Sequence, residues 1–343
     1  MKSRRVKWGF IWSAIAAVIW GLAYVPQELV WMNDPVADLY QAGGEDLFMS
    51  SVVVAAIQSL MFVIVLFLMW SCVNGKSREV KRSFCRWRVS RWFLVASVFG
   101  GLMAMFGSIL AVAYIGADYA SAISMMCAVV GALYGRFLFK ERMTPKTFLG
   151  IIIITIGGIL VLDPVSLISN ITDPAAKDGM AIGYIGGIMA AVGWGVESCY
   201  VARGVEVGDN EASSSIRYAW ECIIWFLIVI PICGFVFGFD RFLPILVDAI
   251  TNPNLVLMLA MVALTLGIAD SLIHKSLSLV GVGRALSINS LYVPVSLLAL
   301  SVFLKDYTIS TWLIVGVLVA VIGTFVMYWE RSDITDSLRD QGE

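Results

Sequence analysis

Hydrophobic residues in this chain form ten long blocks, and short polar segments separate them. Each block approaches the ~20 apolar residues that a helix needs to cross a hydrocarbon core of about 30 Å. We therefore predict an all-α membrane protein, and the connections are too short for a second soluble domain. The ten predicted transmembrane helices span residues 8–32, 48–72, 91–114, 117–138, 145–162, 179–202, 214–237, 254–275, 284–304 and 310–329.

The overall composition agrees with this pattern. Of 343 residues, 59% are hydrophobic and 14% are charged, whereas soluble domains contain roughly 45–50% apolar and about 25% charged residues. Lys and Arg number 24 against 25 Asp and Glu, so there is no basic excess of the kind that nucleic-acid binding requires. Membrane lipid is therefore an expected partner and nucleic acid is not.

The distribution of basic residues predicts the orientation. Cytoplasmic loops of membrane proteins carry an excess of Lys and Arg. Placing the N-terminus inside puts all but three of the 24 basic residues on the cytoplasmic side. Arg217 is counted on the cytoplasmic side. The three outside are Lys177, Arg241 and Lys305. We expect a multi-pass protein of the plasma (inner) membrane with both termini in the cytoplasm.

Residues that build metal centres and covalent catalysts are scarce. The chain has six cysteines without a C-x-x-C pair and one histidine, His274, which is too few for a zinc or iron–sulfur site. No P-loop, G-x-S-x-G or H-E-x-x-H motif occurs, and these are common signatures of nucleotide hydrolysis, covalent catalysis and zinc proteases. We therefore expect no enzyme activity, no metal and no cofactor.

The two halves of the chain resemble each other. Ala16–Gly21 and Ala190–Gly195 agree at five of six positions, and the short turn from Gly116 to Ala120 recurs from Gly281 to Ala285. This order indicates two five-helix units, at 8–162 and 179–329, followed by a cytoplasmic tail at 330–343. An odd number of crossings inverts the second unit in the membrane, and inverted repeats are typical of secondary transporters.

Several of these features resemble the EamA branch of the drug/metabolite transporter superfamily. They are Trp20-Gly21 within helix one, the tight turn at Gly116, Glu141 with the downstream Gly150 and Gly157-Gly158, and Tyr292-Val293-Pro294. The resemblance implies ten helices in two EamA repeats, a cytoplasmic N-terminus and a carrier of small metabolites. The chain departs from the family in a longer first outer loop and in Asp306, where the family has glutamate.

Away from helix ends, four acidic residues lie inside predicted helices, where each charge costs roughly 2.5–3.5 kcal/mol and marks a candidate functional site. They are Glu28, Glu197, Glu221 and Asp270. Aromatic residues share helix faces with several of them, and aromatic faces attract cations. The predicted substrate-binding residues are Trp20, Tyr24, Trp194, Glu197, Tyr218, Glu221, Trp225 and Tyr292. Packing alone would also explain the tryptophans, and Glu28 would also suit a position at the membrane surface.

Asp270 and His274 are four residues apart on one helix face, so we expect either a buried proton-carrying pair or an internal hydrogen bond. The sequence as a whole predicts a secondary transporter of a small molecule that contains an amine, working as a monomer or homodimer. Export of neutral or aromatic amino acids and a lipid-headgroup flippase stay open as alternatives, as does a membrane scaffold.

Overall fold

The computed structural model describes residues 2–73, 75–139, 144–161, 180–208, 210–304 and 310–328. Within these ranges the regular structure is entirely helical. The helices are α1 (Lys2–Val30), α2 (Val36–Ala42), α3 (Gly44–Leu66), α4 (Ser77–Cys85), α5 (Trp87–Ser97), α6 (Phe106–Ile115), α7 (Ala117–Ser124), α8 (Cys127–Phe139), α9 (Pro145–Val161), α10 (Met180–Val207), α11 (Asn210–Ile224), α12 (Ile230–Phe237), α13 (Phe239–Thr251), α14 (Pro253–Val280), α15 (Val282–Asn289), α16 (Tyr292–Phe303) and α17 (Thr311–Tyr328). Glu141, Lys177, Lys305, Asp306 and the tail 330–343 lie outside the described residues.

Eight helical stretches in the described residues are long and apolar enough to cross a membrane. They are Lys7–Val30, Gly44–Met69, Trp87–Ile115, Ala117–Phe139, Met180–Val207, Ala212–Phe237, Pro253–Val280 and Val282–Phe303. Two shorter apolar helices, Pro145–Val161 and Thr311–Val326, occupy the fifth and tenth predicted blocks. The chain is a multi-pass integral membrane protein.

Three short helices lie where the sequence pattern indicated loops. They are α2, α4 and α13, which are too short or too polar to register as membrane blocks. Helix α13 reaches the start of α3, where Arg241 pairs with Glu45 at 3.0 Å and also with Asp46. Two acidic side chains at the start of α3 are therefore neutralised by a base from the second half of the chain.

A π-helical segment, Val98–Met105, joins α5 to α6 within one membrane helix. Such π-helical segments widen a helix locally and are frequent at functional sites. This one contains the adjacent pair Gly100 and Gly101, which presents backbone without side chains to the protein interior.

The central helices pack in two matching sets. Helix α1 lies along α14 and α16, and α10 lies along α6 and α8. A Cβ atom on Gly21 would come within 2.7 Å of Val295, and one on Gly195 within 2.6 Å of Val130. Neither position has space for a side chain, so glycine sets the helix separation at both crossings.

Corresponding turns also share their backbone conformation. Gly116 has φ of +87° and Gly281 has φ of +85°, a region that glycine adopts without steric cost. Each turn opens a short helix, α7 or α15, that ends eight residues later, just before α8 or α16 begins. Two membrane helices, α7–α8 and α15–α16, are therefore discontinuous at the same point.

Glu28 caps the first of these short helices. Its Oε2 accepts a hydrogen bond from the backbone amide of Ala117 at 3.0 Å. An anionic group at a helix N-terminus satisfies a free amide and interacts favourably with the helix dipole. The carboxylate thus fastens α1 to the start of α7.

Candidate substrate cavity

A small cavity lies among six helices, α1, α8, α10, α14, α15 and α16. The cavity volume accessible to water is about 20 Å³. This is enough for a water molecule and far too small for an aromatic ligand. The structure is therefore closed around this site. The lining residues are Trp20, Cys127, Trp194, Glu197, Ser198, Asp270, Ile273, His274, Leu286, Asn289 and Tyr292.

Aromatic rings from three helices form one wall. Trp20 meets Trp194 edge to face with ring centroids 5.4 Å apart, and it stacks on Tyr292 at 6.0 Å. Tyr24 lies behind them, almost parallel to Tyr292 at 5.9 Å. The Tyr292 hydroxyl donates a hydrogen bond to the backbone oxygen of Ser121 at 3.0 Å, which fixes the orientation of its ring.

Beside the cavity, Arg217 sits between two glutamates. Its Nε lies 2.5 Å from Glu197 Oε1 and its Nη1 lies 2.7 Å from Glu221 Oε2. The Arg217 side chain is completely buried, and its guanidinium carbon is 4.1 Å from the centroid of the Tyr218 ring. Removing Arg217 would leave two buried carboxylates without a counter-charge, which is strongly unfavourable.

This position corrects the sequence interpretation, which counted Arg217 among the cytoplasmic bases. Helix α11 begins at Asn210, so seven residues at about 1.5 Å each carry Arg217 roughly 10 Å along the helix. Arg217 is therefore buried within a helix and is not evidence for which side of the membrane a loop occupies.

Gly100 and Gly101 of the π-helical segment pack directly against this ionic cluster. A Cβ atom on Gly100 would overlap the Glu197 carboxyl group and Nη2 of Arg217, and one on Gly101 would overlap the Glu221 side chain. The glycines thus give the two carboxylates and the guanidinium the space that they occupy.

Asp270 and His274 both line the cavity, but each has partners on neighbouring helices. The Tyr218 hydroxyl donates to Asp270 Oδ2, while His274 Nδ1 lies 3.1 Å from Ser213 Oγ and 3.0 Å from Ser214 Oγ. Among the described contacts, no hydrogen bond joins Asp270 to His274. Helix α11 supplies nearer partners to both side chains, so Asp270 and His274 are linked to α11 and not directly to each other.

Comparison with known proteins identifies part of the fold. Residues 42–163 match the family model of the EamA-like transporter family, which is part of the drug/metabolite transporter superfamily. These residues are EamA-like. The resemblance found in the sequence is thereby confirmed for this stretch, which includes Gly100, Gly101, Gly116 and Cys127.

Solved structures extend the fold similarity beyond the EamA-like stretch. One of them, described only as the crystal structure of a protein, is 16% identical and superposes with a TM-score of 0.55. The match covers 93% of this chain and 97% of the other, so the two share a fold over nearly their whole lengths. No curated protein matches the sequence.

The cavity collects six of the predicted site residues. Trp20, Trp194, Glu197, Asp270, His274 and Tyr292 line it. Three others stand behind it: Tyr24 against Tyr292, Tyr218 against Asp270, and Glu221 against Arg217. Trp225 packs against Phe106, with ring centroids 5.5 Å apart, and neither ring lines the cavity. Helix α11 therefore supports the cavity from behind.

Sequence reasoning missed Arg217, Cys127 and Asn289. The four-residue spacing of Arg217 and Glu221 is a helical ion-pair signal and would have identified the arginine. Cys127 follows the Gly116 turn at the distance at which Tyr292 follows the Gly281 turn. The structure groups no three His, Cys, Asp or Glu side chains as a metal site within the residues it describes.

Proposed function

We propose that this chain is a secondary transporter that moves a small organic amine, cationic or aromatic, by alternating access between two inverted five-helix halves. The observation that carries the proposal is the cavity itself. It lies where the two halves meet, Trp20 and Trp194 supply its rings from matching positions, and Glu197 supplies a carboxylate.

Matching contacts support the inverted arrangement. Gly9 and Gly183 stand at corresponding places in helices one and six, and they face the ends of the helices that precede the two glycine turns. A Cβ on Gly9 would meet Leu279 and Val280, and one on Gly183 would meet Tyr114 and Ile115. Gly21 and Gly195 repeat the relation with Val295 and Val130. Corresponding residues that meet corresponding partners are what a two-fold relation between halves produces.

The chemistry of the lining supports an amine as substrate. A cation over a desolvated aromatic face gains about 2 kcal/mol or more, and a carboxylate adds charge neutralisation. The acids that line the cavity are Glu197 and Asp270. An amino acid would bring a carboxylate of its own, and the nearest guanidinium, that of Arg217, is behind Glu197 and not part of the lining. This arrangement favours an amine over a zwitterion.

The closed cavity fits a transport cycle. At about 20 Å³ it holds no organic ligand, so the substrate enters only after helices move apart. The discontinuous helices α7–α8 and α15–α16 flank the site, and broken helices beside a mid-membrane site are typical of secondary transporters. We propose that the transport step couples to protons through Asp270 or His274.

A thermal-shift comparison tests the function. Phenethylamine, its neutral analogue 2-phenylethanol, phenylalanine and a nucleoside are added to the purified full-length protein. A ligand at 100 times its Kd adds about 2.7 kcal/mol to folding stability. We expect phenethylamine to raise the melting temperature of the wild type and of Glu206→Gln, an exposed glutamate on the same helix, but much less that of Glu197→Gln.

Two results would contradict the proposal. Equal shifts from phenethylamine and 2-phenylethanol would show that positive charge is not recognised. Stabilisation by phenylalanine alone would favour the amino-acid alternative.

A further inference from the structure

The Glu197 carboxylate borders the cavity on one side and the Arg217 guanidinium on the other. Its side chain lines the central cavity, yet Oε1 lies 2.5 Å from Nε of Arg217. In the closed structure the carboxylate that faces the cavity is therefore already paired with a cation. A substrate ammonium that binds Glu197 must therefore compete with Arg217 for that carboxylate.

Arg217 has a second carboxylate partner, Glu221, in addition to Glu197. Glu221 lies one turn away on the same helix, with its Oε2 2.7 Å from Nη1, and it does not line the cavity. If Arg217 lost Glu197 it would still be paired, and the cation–π contact with Tyr218 would remain. Glu197 without Arg217 would be a buried, unpaired carboxylate, which is costly.

We infer that Arg217 is the resident counter-ion of Glu197, which the substrate ammonium replaces on binding while Arg217 withdraws to Glu221. The inference rests on the proposed function, since it assumes that the cavity takes a cationic amine. No covalent bond changes in this exchange. Each carboxylate is paired in both states: Glu197 with arginine and then with the amine, Glu221 with arginine throughout.

The inference predicts that substitutions of Arg217 and Glu221 change the amine affinity in opposite directions, although neither residue lines the cavity. Glu221→Gln removes the alternative partner, so Arg217 stays on Glu197 and the Kd for phenethylamine rises. Arg217→Gln removes the competitor, so the Kd falls. Because breaking a buried ion pair has a large energetic effect, each change in Kd is expected to be roughly tenfold or more.

A fixed electrostatic field would produce the same two signs, so the test is a double-mutant cycle. The Kd for phenethylamine is measured by titration calorimetry for the wild type, Glu221→Gln, Arg217→Gln and the double variant. If Glu221 acts through Arg217, the double variant binds like Arg217→Gln. Arg203→Gln is the matched control, since it breaks an exposed Arg–Glu pair and is expected to leave the Kd unchanged.

Persistence of the Glu221→Gln effect in the Arg217→Gln background would overturn the inference and leave the proposed function intact. Absence of amine binding by the wild type would overturn both. If Arg217→Gln does not fold, Glu221→Asp takes its place in the comparison. Aspartate keeps the negative charge but, being one methylene shorter, withdraws it from Nη1 of Arg217. Weakening equal to that of Glu221→Gln therefore supports the exchange, and near wild-type affinity, which a fixed field predicts, overturns it.

Discussion

The two glycine crossings, Gly21 and Gly195, allow a direct test of how the halves pack. A methyl group on Gly21 would lie 2.6 Å from the backbone oxygen of Tyr292 and 2.7 Å from Val295. On Gly195 it would lie 2.6 Å from Val130 Cβ and 2.8 Å from the backbone nitrogen of Gly131. Because backbone and Cβ atoms cannot rotate aside, the helices must separate. Overpacking of this kind typically costs about 1–3 kcal/mol.

We therefore expect Gly21→Ala and Gly195→Ala each to lower the melting temperature of the purified protein, by similar amounts. The assay is thermal unfolding in detergent, followed by intrinsic tryptophan fluorescence. Gly267→Ala is the matched control, since its nearest atom is a Leu66 methyl at 3.0 Å, the end of a flexible side chain. Melting temperatures for all three variants within error of the wild type would refute the close crossings.

Three further predictions concern coupling, capping and orientation. Asp270→Asn is expected to abolish concentrative uptake driven by a pH gradient in proteoliposomes and to spare equilibrium exchange, because exchange needs no net proton movement; uptake by the variant would contradict the role in coupling. Glu28→Ala is expected to cost about 1 kcal/mol, the usual loss when a helix cap is removed, and unchanged thermal unfolding would show that the bond to Ala117 adds nothing. A cysteine at Glu45 is expected to react with an impermeant reagent added outside, and one at Lys81 is expected not to; outside labelling at Lys81 would reverse the orientation.

The membrane helices were largely predictable because hydrophobic block length depends only on local sequence. The predicted helix 117–138 is observed as α7 and α8, spanning Ala117–Phe139, and the Gly116 turn is where the pattern placed it. Helices α4 and α13 were not predicted. They lie outside the apolar blocks, and block length alone does not reveal short amphipathic helices.

The site was predictable where one helix carries the signal. Trp20 and Trp194 stand out because the repeat marks them. The partnership of Glu197 with Arg217 joins α10 to α11, and it depends on how those helices pack, which no local pattern contains. Arg217 was misplaced for a related reason: a base near a helix end resembles a loop charge until the start of the helix is known.

Counterflow in proteoliposomes tests the central claim most directly, namely that the cavity carries an organic cation across the membrane. Vesicles preloaded with unlabelled benzyltrimethylammonium receive a trace of labelled cation outside; its fixed charge prevents passage through hydrocarbon unaided. The account predicts transient accumulation of label with wild-type protein and with Glu206→Gln, and little with Glu197→Gln. Label uptake no greater than in protein-free vesicles, or equal uptake by Glu197→Gln and the wild type, would contradict it.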